Sequence, residues 1–169
     1  MLLLIARPKK SEESVTVKEI QMGLDMYLTA KQYLGEYNDQ DKIVSTAIMR
    51  HFPELNETQT VREVSVRVGY WRKANAIHKW FVENVQEGTD DCNSYHVPRE
   101  RLQELRDTCE RVLAFRELAT AQLPPASGFF FGNAEVDEWY YRDLEETVKI
   151  IDACQALPDD WSIEYQSSW

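Results

Sequence analysis

Between positions 67 and 79 the chain gathers Arg67, Tyr70, Trp71, Arg72, Asn75, His78 and Lys79. Guanidinium, ammonium, imidazole and amide groups can hold a phosphate or a ribose, and an indole beside them can stack on a base. Read as one helix, residues 69–85 (GYWRKANAIHKWFVENV) put Ala74, Ile77, Phe81 and Val85 on an apolar face. Trp71, Asn75, His78 and Val82 form one adjoining stripe, and Arg72, Asn75 and Lys79 another. A helix that starts just after a strand and Gly69 also turns its first amides toward an anion. The same residues equally describe a solvated basic face, Arg72, Lys73 and Lys79, on a helix whose Trp71 and Trp80 complete the core.

Two aromatic clusters raise a similar question. In SGFFFG (127–132) three consecutive phenylalanines cannot all face one side of an extended strand, because neighbours point to opposite sides. At least one, for which Phe130 is the candidate, must meet a ligand, a partner subunit or a covering helix. In Trp139-Tyr140-Tyr141-Arg142 the inward helical stripe takes Tyr140, which leaves Trp139 or Tyr141 with Arg142 for an aromatic or oligomer contact.

Several chemistries find no support. SGFFFG has neither a dinucleotide-binding nor a P-loop glycine spacing, and it contains no lysine. Asp90, Asp91, Cys92 and His96 hold metal-capable atoms in one loop, but their spacing fits no zinc or calcium pattern. No nucleophile elbow, HExxH or paired-carboxylate motif is present, so catalysis would fall to His78 as acid or base. No metal and no cofactor is expected.

Composition narrows the partners. The chain has 169 residues, 43% of them hydrophobic, which is one domain's worth of core. Its 19 Lys plus Arg against 29 Asp plus Glu leave a formal charge of −10, which repels duplex nucleic acid and an anionic membrane surface alike. Cys92, Cys109 and Cys154 form neither a disulfide framework nor a zinc set, as expected of reduced thiols in a cytoplasm. The apolar run 1–6 stops at Arg7-Pro8-Lys9-Lys10, too short for a membrane span.

The elements that must position these residues follow from periodicity. Residues 1–19 read as a mobile leader and 20–169 as one domain. Strands are expected over 24–30, from Thr60 to Gly69, and from Trp161 to Gln166. Helices are expected after Asp39 or Asp41, with a stripe of Ile43, Val44, Ala47 and Ile48; over 69–85; from Pro98 to about Leu118; and after an Asn133 cap, ending at Pro158. This irregular order predicts α+β: a small, mostly antiparallel sheet covered by about four helices.

MGLDMYLTAK (22–31), GYWRKANAIHKWFVENVQ (69–86), DDCNSYHV (90–97), SGFFFG, DEWYYRDLEETVKII (137–151) and EYQSSW (164–169) together resemble a family of small proteins encoded by bacteriophages and prophages. The resemblance runs from Met22 to Trp169, and members begin at the equivalent of Met22, which supports reading residues 1–21 as dispensable. It implies a phage origin and assigns no reaction. Phages gain by removing nucleotide signals made by host defence enzymes. The expectation is therefore a non-enzymatic, homo-oligomeric protein of the host bacterial cytoplasm that sequesters a nucleotide-like small molecule. An acidic inhibitor of a host protein and a nucleotide-acting enzyme are the alternatives.

Overall fold

The computed structural model describes residues 23–55, 59–126 and 134–169. The expected leader, the domain start near Ile20, the Asn133 cap and the SGFFFG segment with Phe130 lie outside the described residues.

Alternation along β1 (Asp25–Tyr33) organises the sheet. Met26, Leu28 and Ala30 are buried while Tyr27, Thr29 and Lys31 between them are half-buried, so one face meets a core and the other meets water. β2 (Glu63–Arg72) and β4 (Ser162–Ser168) flank β1, and β3 (Tyr95–His96) adds two residues beyond β4. All pairings are antiparallel, in the order β2-β1-β4-β3. The fold is α+β, as its sequence predicts.

The helices α1 (Asp39–Met49), α2 (Asn75–Asn84), α3 (Arg99–Ala114), α4 (Ala119–Gln122) and α5 (Glu138–Gln155) follow in chain order, with a 3-10 turn at Arg116–Leu118. α3 buries Leu102, Leu105, Cys109 and Val112, and α5 buries Tyr140, Leu144, Thr147, Ile151 and Cys154, which is the helical spacing that brings the two together over the sheet. α2 adds Ile77 and Phe81, and the Phe81 ring stacks on Tyr165 of β4 with centroids 3.9 Å apart. At the far end of the helical layer Arg99 donates to the carbonyls of Cys154 and Pro158 at 3.1 and 2.7 Å, which satisfies carbonyls at the end of α5.

One bulge shapes β2. Gly69 pairs with Leu28 but Arg67 pairs with Thr29, so Val68 is the extra residue. α5 crosses at this point. A Cβ on Gly69 would stand 2.6 Å from Cγ2 of Ile150, so only glycine lets helix and strand approach this closely.

The expected helix over 69–85 divides in the structure. Tyr70, Trp71 and Arg72 continue the strand, with Trp71 facing the core and its neighbours facing outward. Trp71 Nε1 donates to Thr147 Oγ1 on α5 at 2.9 Å, a distant tie that holds the strand conformation past Gly69. The chain then reverses in two residues, with Lys73 at φ 60°, and the helix starts at Asn75. Smaller differences are the end of α3 at Ala114 and the capping of α5 by Asp137, whose carboxylate accepts from Tyr140 N at 3.0 Å.

α1 departs further. Asn38 caps it, yet its apolar stripe does not enter the core: Ile43 is 62% exposed and Val44 and Ala47 are exposed too. Ser45 and Asp41 hold the helix instead, accepting from Val61 N at 3.3 Å and from Gly35 N at 2.8 Å.

Candidate functional site

The abrupt passage from β2 into α2 creates a cleft. It holds about 270 Å³ between the start of α2 and the first turns of α5. Arg72, Lys73 and Asn75 form one wall, and Glu135, Trp139 and Asp143 face them across it.

The basic wall is built by backbone geometry. Lys73 N donates to Leu24 O at 2.8 Å, and Lys73 O accepts from Asn75 N at 2.8 Å, so the left-handed residue is held on both sides. At the cap position of α2 stands Ala74, and among the described residues no side chain caps the helix. Amides at such an end carry partial positive charge, which adds to that of Arg72 and Lys73.

The opposite wall is acidic and aromatic. Burial, and then the neighbouring Asp137, push the Asp143 carboxyl up to about 6, against the pull of Arg142. Trp139 is 68% exposed, and the Arg142 guanidinium lies 4.9 Å from its ring centroid. One wall can therefore receive a phosphate, while the other offers carboxylate acceptors to hydroxyl or amino groups and an indole to a ring.

The residues singled out from sequence scatter around this cleft. Arg72 and Asn75 line it, and Arg142 approaches through Trp139. Arg67 and Tyr70 lie on the open sheet face, where the Arg67 guanidinium stands 4.7 Å from the Tyr27 ring centroid and Tyr70 donates to Asp25. Lys79 points outward toward Glu83, 3.8 Å away. Trp71, His78 and Tyr141 are buried, and the Arg116 guanidinium lies 4.1 Å from the Tyr141 ring centroid.

His78 is 1% exposed and belongs to an interior relay. Its Nδ1 lies 2.8 Å from the Tyr165 hydroxyl and its Nε2 lies 3.2 Å from Asp90 Oδ1. The Asp90 contact is short but off the axis of an aligned hydrogen bond, so it acts mainly through charge. With the proton on Nε2 facing that carboxylate, Nδ1 accepts from Tyr165. Burial lowers the His78 pKa, with Asp90 opposing, and burial raises that of Tyr165 well above an ordinary phenol. The arrangement resembles a catalytic relay in connectivity, but its tyrosine is fully buried.

Lys73, Trp139 and Asp143 complete the cleft. Lys73 carries a signal in the sequence, as the residue after an alternating strand that must turn at once into a helix. Asp143 carries none, because its placement depends on β2 lying beneath α5. Among the described residues no group of three or more His, Cys, Asp or Glu side chains is placed to hold a metal ion. Compared with known protein families, curated proteins and solved structures, the chain matches none.

Proposed function

We propose that the protein captures a nucleotide-derived small molecule in the cleft between α2 and α5 and holds it without chemical change. The observation that carries this reading is Lys73. A non-glycine residue in the left-handed region costs about 1–2 kcal/mol, and here the residue that stands there is a cation beside Arg72 and a helix start that no described side chain caps. In this reading the phosphate sits against α2, the sugar or base donates to Asp143, and the ring meets Trp139. The cleft's 270 Å³ lies just below the ~300–1,000 Å³ of small-molecule sites, which suits a mononucleotide better than a dinucleotide. The resemblance to phage-encoded proteins supplies a use: withdrawal of a host's nucleotide signal.

A second reading, acid–base chemistry on such a ligand, draws on Asp143, the cleft carboxyl that burial pushes up to about 6. One experiment separates the two. Linear and cyclic mononucleotides are titrated calorimetrically into the protein, and the bound ligand is then released by heat and weighed by mass spectrometry. Capture predicts binding, recovery of the ligand intact, and at least about tenfold weaker binding in Arg72→Ala, the worth of one charge-assisted contact. Recovery of a cleaved ligand selects the enzyme, and no binding by any mononucleotide sinks both.

A further inference from the structure

β2 is an edge of the sheet among the described residues, and its ten residues leave one side of the backbone without a neighbouring strand. Long edge strands are normally blunted by charge, proline or distortion, since they pair with other chains. This one carries its bulge in the middle.

We infer that this edge joins a second copy of the chain, antiparallel, about a two-fold axis through the bulge between Arg67 and Val68. In that register Glu63 stands opposite Arg72, Val64 opposite Trp71, Ser65 opposite Tyr70 and Val66 opposite Gly69, and the symmetry makes each pair twice. The faces agree. Pairing with β1 puts Glu63, Ser65, Tyr70 and Arg72 on the open face and Val64, Val66, Gly69 and Trp71 on the core face. In a regular strand Glu63 and Arg72 would lie on opposite faces, so this register works only because the bulge shifts the alternation between them.

Charge complementarity favours a second copy over an unrelated strand. Glu63 and Arg72 close the two ends of the seam with opposite charges, both are exposed, and neither has an ion pair among the described residues. Near the axis the two Arg67 side chains would repel, but each is drawn aside over its own Tyr27 ring. Apolar surface waits at the same edge. Val66 is 47% exposed although it lies on the core face, and the bond from Val61 N to Ser45 places exposed Val44 and Ile43 of α1 near the start of the strand.

Dimerisation is read without ligand, so this inference and the capture reading fail separately. Sedimentation equilibrium of the full chain should give twice the 19.8 kDa of one copy. Glu63→Arg or Arg72→Glu alone sets like charges together at both ends and should weaken the dimer at least about tenfold. The double variant Glu63→Arg/Arg72→Glu exchanges the charges and should restore wild-type association. Val66→Lys, on an exposed position where folding is easily checked by circular dichroism, should give a folded monomer. A monomer at every concentration overturns the inference, as does a dimer indifferent to the single reversals or a double variant that does not recover.

Discussion

Lys73 and Asp143 are the two residues at which the cleft works against the stability of the fold. Glycine would occupy the position of Lys73 without the steric penalty of its left-handed backbone. Lys73→Gly is therefore expected to unfold about 1 kcal/mol later in urea while binding a mononucleotide more weakly. A variant equally stable, or one that binds unchanged, would remove the lysine's special standing. For Asp143 the sign follows from its carboxyl lying at about 6 in the folded protein against the 3.8 of a free aspartate. Between those values the folded chain holds a proton that the unfolded chain has released, so stability falls as pH rises through the window and stays lower above it. Asp143→Asn should thus gain on the order of 1 kcal/mol at pH 7.5 and nothing near pH 3, as thermal melts at the two pH values will show. The same protonation removes a negative charge from the ligand's surroundings. Affinity for a phosphate is accordingly expected to rise as pH falls toward 5.5, and to lose that rise in the asparagine variant.

Among the elements, β2 and α5 hold the site through two contacts, Trp71 with Thr147 and Gly69 with Ile150. Gly69→Ala drives a methyl into Ile150 and should cost about 1–3 kcal/mol. Ile150→Ala opens the space, so the double variant should be less destabilised than the sum of the singles; strict additivity in denaturant melts would show that the two elements do not touch there. These contacts also explain where sequence reading stopped. Val64, Val66 and their polar neighbours announce a strand, and Leu102, Leu105, Cys109 and Val112 announce a helix, because each pattern is complete within its own window. Tyr70 and Trp71 suit a strand or a helix equally, and the choice is made by Thr147, far along the chain. His78, assigned to a ligand-facing stripe, is turned into the core once the helix starts later, whereas Asn75, although buried, still borders the cleft. α1 shows the converse: its stripe reads as a core face, yet Ile43, Val44 and Ala47 are exposed, and nothing within the helix's own window tells that.

At the scale of the whole molecule, the class of fold was readable because it needs only the kind and order of elements. The cleft was half readable: Arg72 and Asn75 belong to a dense local motif, whereas Trp139 and Asp143 reach it only through the packing of α5 over the sheet. The order of the strands has a consequence of another kind, in time. β1 pairs on one side with β2 and on the other with β4, so that Asp25 lies opposite Ser168 and the seam joins nearly the two ends of the described chain. Contacts so distant along the chain are slow to form, because the entropy of closing the loop is lost before the pairing returns it. Refolding followed by tryptophan fluorescence in a stopped-flow instrument is expected on the millisecond-to-second scale of such topologies, and completion within microseconds would contradict it. A chain cut before Ser162 leaves β1, an interior strand of the sheet, as an open edge on which other chains can aggregate.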